Sequence, residues 1–213
     1  MISSFLKRVV ERSTHISNGM KHTTNKFTQR FTTATSPASE SYSTSAKLMH
    51  WGMASGILSC FALVQAKNYT SDKKMKGKYM FWHKSMGLLM GICFVPRVAV
   101  RLSNKVPKLP EGNVIEHALA NLSHWTLYSL MLFMPLSGVA MGYFGGKGLP
   151  FFFTTIPGAT KENKNGKIAK NAWYYHKNIG QVFEYFFVPL HVGAVGFHFL
   201  RGQNILKRIN PFL

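Results

Sequence analysis

The sequence predicts an all-α integral membrane protein: a four-helix bundle behind a disordered or loosely packed basic N-terminal segment. Three observations carry that class. Four apolar runs of about twenty residues recur along the chain, and at 1.5 Å per residue each crosses a hydrocarbon layer of about 30 Å. Hydrophobic residues make up 46 % and charged residues 15 % of the chain, with the charges gathered between the runs. Histidines recur within those runs, where an imidazole is costly unless something satisfies its nitrogens.

A chain of 213 residues suits one domain and a tail, divided here as 1–46 and 47–213. The 26 Lys and Arg against 7 acids raise the question of nucleic acid. Their placement excludes it, because they punctuate apolar runs instead of forming one stripe. Anionic headgroups of a lipid bilayer are the fitting partner. Cys60 and Cys93 both fall inside apolar runs, so there is no disulfide framework, and no CxxCH haem attachment motif is present.

Residues 1–46 are rich in Ser, Thr, Lys and Arg, with Glu11 and Glu40 as their only acids. Met1–Val10 suits a short basic amphipathic helix. The absence of a central apolar run favours a mitochondrial address over a secretory signal, and hence the mitochondrial inner membrane.

The first span is expected at Leu48–Gln65 and opens with His50-Trp51, the Trp suiting an interfacial position. A lysine-rich loop, Ala66–Lys78, leads to the second span at Tyr79–Leu102. His83 lies near its start, Pro96 is placed to bend it, and Arg97 and Arg101 stand near its end. Snorkelling to lipid phosphates is the favoured reading of these arginines; a bond to a haem propionate is the sharper one. The third span, Leu122–Phe144, contains Pro135 and a small-residue end, with His117 and His124 before and near its start. A long connection, Gly145–Ala172, is expected to lie over the bundle end that holds His83, its apolar part against the membrane surface. The fourth span, Trp173–Arg201, carries His176, His191 and His198.

His176 and His191 stand fifteen residues apart, roughly 22 Å along a helix and some 60° apart around it. One helix therefore presents two rings at two depths on one broad face. Because successive spans alternate direction, His83 and His176 begin at one membrane face, while His50 and His191 share the other level. The depths pair His50 with His191 and His83 with His176. Two neutral imidazoles can fill both axial positions of a haem iron. Two such pairs predict two haem b groups, with one as the lesser alternative, and an electron path between the faces. Ser85, Met86, Gly87, Gly91, Gly180, Gly193 and Gly196 are candidates to make room for the macrocycles. Zinc is a weaker rival, since it needs three or four ligands in one shell. His117, His124 and His198 read as ordinary interfacial residues.

The chain resembles the bacterial-type cytochrome b561 family over about residues 42–211. The resemblance rests on YSTSAKLMHW, WHKSMGLL and VPRVAVRL, on HWTLYSLMLFMPLSGVAM and GLPFFFTTIP, and on the His176–His191 pair. It implies a four-helix di-haem membrane cytochrome that exchanges electrons with quinone. The family's ligand positions match His50, His83, His176 and His191, and His124 matches a recurrent non-ligand histidine. The family usually sets its last two ligands one residue closer together; the extra residue here turns the second ring by about 100° unless a local bulge absorbs it, and Val188-Pro189 is the candidate marker of such a bulge.

The leading functional reading is transmembrane electron transfer with ubiquinone in a respiratory membrane, as an electron-transfer protein or a quinone-linked oxidoreductase. His124, Tyr128 and the Phe151–Phe153 loop are the quinone-site candidates. The alternative is an accessory haem-containing or structural subunit of a mitochondrial respiratory complex, docking other subunits through its basic loops. A transporter is disfavoured, because Lys84, Arg97 and Glu184 are nearly all the charge within the spans.

Overall fold

A computed structural model describes residues 41–212, and these form the bundle that the apolar runs predict. The element order is α1 (Thr44–Tyr69), α2 (Lys73–Ser103), α3 (Val114–Phe144), β1 (Leu149–Phe151), β2 (Thr154–Ile156), α4 (Gly166–Val182), a π-helical turn (Phe183–Phe187), α5 (Val188–Leu200) and α6 (Leu206–Ile209). The helices α1, α2 and α3, together with the continuous rod Gly166–Leu200, are long and apolar enough to cross a membrane. The targeting segment expected ahead of the bundle lies outside the described residues up to position 40, while 44–46 form the first turn of α1.

Every span starts earlier than its apolar content suggests, and the reason is capping. A helix begins where a side-chain oxygen satisfies its free amides. Ser43 Oγ accepts from Ala46 N, Asp72 Oδ1 from Lys74 N, Asn113 Oδ1 from Glu116 N, and Asn165 Oδ1 from Lys167 N and Ile168 N. The expected loop 66–78 therefore shrinks to the link between Tyr69 and Lys73, and its lysines stand mostly on the first turns of α2. Likewise the fourth span begins at Gly166, not Trp173.

α1 packs along α2, α3 packs along α4, and α2 joins the two pairs. Both prolines are accommodated without a break in α2 or α3. Pro135 lies where a Cβ on Gly91 would approach within 2.9 Å, so the glycine lets α2 and α3 draw together. Large apolar side chains cover the outside of the spans: Leu58, Ile92, Leu132 and Phe199 are all exposed, as a lipid-facing surface requires.

The connection 145–172 is not structureless. Leu149–Phe151 and Thr154–Ile156 form an antiparallel hairpin, with Leu149 opposite Ile156 and Phe151 opposite Thr154. Phe152 turns the chain at φ 49°, a left-handed value unusual for a bulky residue. Ser85 of α2, fully buried, holds that turn from both sides: its Oγ donates to Pro150 O and accepts from Phe152 N. Trp82 packs edge-on against Phe152 with centroids 5.9 Å apart.

Of the two alternatives, the bulge is the one present: a π-helical turn lies just before Val188-Pro189. Val188 N donates to Phe183 O, a bond of π-helical span. A π-turn takes up one residue more than an α-turn. The fifteen-residue step from His176 to His191 therefore keeps the rotational phase of a step one residue shorter.

The chain closes on itself at the opposite end. Tyr42 N and Ser41 Oγ both donate to Arg208 O, Trp51 Nε1 donates to Ile209 O, and Arg208 Nη1 donates to Lys108 O. Arg201 and Glu116 form a partly exposed ion pair of 2.8 Å.

Candidate functional site

The four helices bring four histidines together as two pairs. The rings of His83 (α2) and His176 (α4) lie 6.2 Å apart, centroid to centroid, with planes at 89°. Those of His50 (α1) and His191 (α5) are also 6.2 Å apart, with planes at 48°. Metal–imidazole bonds of about 2.0–2.1 Å on both sides of one atom set ring centroids about 6.4 Å apart. Both pairs thus have the separation of two axial ligands on one iron, and the donor set suits haem.

At the first pair the outward nitrogens have oxygen partners. His83 Nδ1 lies 3.0 Å from Cys60 O, and since a carbonyl only accepts, the nitrogen donates. His176 Nδ1 lies 2.9 Å from Ser137 Oγ, whose hydroxyl hydrogen goes back to a carbonyl of its own helix, Phe133 O at 2.8 Å or Met134 O at 3.0 Å. Ser137 Oγ therefore accepts from His176. Both imidazoles keep Nε2 free for a metal, with their orientation fixed by the partner of the other nitrogen.

The second pair is surrounded differently. Arg97 Nη2 lies 3.4 Å from His50 Nδ1, while its Nη1 donates to Ala46 O at 2.8 Å. Arg97 thus turns into the bundle and holds the backbone of α1, in place of the favoured snorkelling outward. His124 is also drawn in: its ring lies 5.8 Å from that of His191, at 87°, and its Nδ1 is 2.7 Å from Ala120 O. Despite this third histidine, no group of three His, Cys, Asp or Glu side chains suited to a metal ion occurs among the described residues, which removes support for a zinc centre.

Several small residues expected to make room for cofactors do other work. Gly91 faces Pro135, Gly180 faces the Met134 methyl, and Ser85 holds the hairpin. Gly87, Gly193 and Gly196 do adjoin open space. The quinone-site candidates are not gathered into one place. His124 stands beside His191, Tyr128 packs on Phe94, and Phe152 packs on Trp82 beside the His83 pair. His198 bonds Gln203 through Nδ1 at 2.7 Å, an ordinary tail contact.

Sequence reasoning misses Ser137, which reads there only as a small residue, and the role of Cys60 as a carbonyl. It also misses a polar link inside the bundle: Gln65 Nε2 donates to Glu184 Oε1 at 2.8 Å and to Tyr185 Oη at 2.6 Å, tying α1 to the π-turn.

A model of the family described as prokaryotic cytochrome b561 matches residues 41–211. The chain is 24 % identical over 165 residues to a probable superoxide oxidase CybB of Yersinia pestis, an alignment that spans 76 % of this chain and 92 % of that one. It is 28 % identical over 132 residues to cytochrome b561 homolog 1 of Escherichia coli (strain K12), spanning 61 % and 73 % respectively.

Proposed function

This chain belongs to the prokaryotic cytochrome b561 family, and we propose that it is a di-haem carrier that moves electrons across a membrane and exchanges them with quinone. The family fixes the coarser statement: a multi-pass membrane protein of haem b electron transfer. The finer reading assigns His50 with His191, and His83 with His176, as axial ligand pairs. The observation that carries it is the shared 6.2 Å ring separation of two pairs drawn from different helices.

Haem b, when bound, supplies an iron that alternates between ferric and ferrous states. The chain's own residues do the rest. Paired imidazoles leave no vacant axial position for substrate, which suits electron transfer over oxygen chemistry. Cys60 O and Ser137 Oγ hold two of the rings in place. The last span sets the two levels roughly 22 Å apart, so electrons can pass from one face toward the other. The location we assign is the mitochondrial inner membrane, in a respiratory chain. It is supported by the basic, acid-poor segment that precedes the family match.

The haem content tests the ligands. A pyridine haemochrome assay is expected to give two haems per chain, falling toward one in His176→Ala and in His191→Ala. An unchanged value removes that histidine from the set, and a colourless protein overturns the reading. The quinone arm is tested separately: chemically reduced protein in nanodiscs should be re-oxidised by a short-chain ubiquinone. If it is not, quinone is removed and the carrier remains.

One observation favours superoxide as the electron donor. Exposed Lys73, Lys74 and Lys167 in the first turns of α2 and α4, with Lys161 and Lys164 in the loop before α4, stand on the hairpin face, where they attract an anionic reductant. The Yersinia pestis relative is named as a probable superoxide oxidase. Superoxide would give one electron to the nearer site and leave as dioxygen. A superoxide pulse should reduce the protein at a rate that falls with added salt; no reduction would remove this donor.

A further inference from the structure

We propose that Arg97 makes the His50/His191 site the higher-potential one, so that electrons run from the hairpin end of the bundle toward the opposite end. The inference rests on the two-haem reading above and goes beyond it by giving the path a direction.

The contrast begins with what each outward imidazole nitrogen meets. At the His83/His176 site both Nδ1–H groups donate to oxygen, to Cys60 O and to Ser137 Oγ. Such bonds push electron density onto the ring and raise the basicity of the ligating nitrogen. A more basic ligand favours ferric iron, which lowers the potential. At the His50/His191 site neither Nδ1 has an oxygen acceptor among the described residues. His50 instead faces a guanidinium at 3.4 Å, and a guanidinium stays charged in a protein. A fixed positive charge beside the site favours the reduced iron, and it acts strongly because the surroundings are apolar.

Charged neighbours stand at both sites, and they differ in how firmly they are held. Arg97 is held in place by Ala46 O at 2.8 Å. The other site has cations too, Lys84 next to His83 and the exposed lysines of the hairpin end, and water screens the exposed ones. The Lys84 ammonium rides on a flexible stem.

With haem held by both pairs, one electron would pass from the iron of the His83/His176 pair, which would become ferric, to the ferric iron of the His50/His191 pair, which would become ferrous. The donor and acceptor outside the chain are those of the reading above.

The ring planes allow a test on unmodified protein. Imidazole planes at 89° give ferric haem a low-spin paramagnetic resonance signal of the large-gmax type, whereas planes at 48° give an ordinary rhombic one. In half-reduced protein the low-potential site stays ferric longest, so the surviving signal should be the large-gmax type. Survival of the rhombic signal overturns the proposal. In an optical redox titration, Arg97→Gln should move only the higher wave, downward, while Arg97→Lys keeps it near its original place. Equal curves for wild type, Gln and Lys overturn the proposal as well. If Arg97→Gln fails to hold haem, the resonance measurement on unmodified protein decides alone. One haem per chain in the wild type would overturn the two-haem reading itself; two haems reduced in the reverse order would overturn only the direction.

Discussion

The two ends of the bundle set their imidazoles at the same separation but surround them in opposite ways. At the hairpin end, a backbone carbonyl and a serine hydroxyl grip the rings, and an aromatic turn packs beside them through Ser85 and Trp82. At the other end an inward-turned arginine and a third histidine press on the rings, and the chain's own tail closes over α1. The comparison teaches that ligand spacing and ligand environment are set by different parts of a fold. Spacing follows from helix register, while the environment follows from which neighbour happens to reach the outward nitrogen.

The most forceful way to break the comparison is to change register. Deleting Ile179, in the α-helical stretch after His176, rotates the two last-span rings relative to each other by about 100° and should cost one haem per chain. Deleting Tyr185 removes the extra residue of the π-turn and should leave both haems in place. Equal losses in the two deletions, read by haemochrome assay, would show that the π-turn does not set the phase. Next in size is the loss of an outward partner. Ser137→Ala should speed haem release from one site by about 10-fold, the lower end of what such orienting partners contribute. His124→Ala, which removes a ring contact and no bond to a ligand nitrogen, should change release little. Transfer of haem to an acceptor apoprotein measures both.

Smaller effects are expected at the two closures. Ser85→Ala leaves Pro150 O and Phe152 N without their shared partner and should weaken the hairpin by about 1–3 kcal/mol. Hydrogen exchange across 149–156 reports it. Trp51→Phe removes one bond to Ile209 O at the other end and should loosen the tail by about 1 kcal/mol. A larger loosening at the tail than at the hairpin would reverse the ranking of the two ends.

Much of the bundle is legible in the amino-acid sequence, because a membrane span has to be long and apolar, and because alternating spans fix depths. That logic pairs His50 with His191 and His83 with His176, and the rings do meet in those pairs. It fails where a signal is short. Asp72, Asn113 and Asn165 each mark a helix start, but an apolar window overlooks single caps. The hairpin escapes notice because three consecutive phenylalanines hide the alternation of its strands. Arg97 illustrates a different limit. An arginine near a span end is ordinarily drawn to phosphate, and only the position of Ala46 O reveals that it turns inward. Ser137 carries no signal at all, since its partner lies thirty-nine residues away on another helix.

The bond between Tyr42 N and Arg208 O has a topographic consequence. It puts the front and the back of the membrane domain on one side of the lipid, whichever side that is. Reporters fused at either end would light up in the same compartment. Among the described residues, a protease confined to the opposite compartment would meet the phenylalanine turn, the lysine-bearing segment behind it and the short link between α1 and α2.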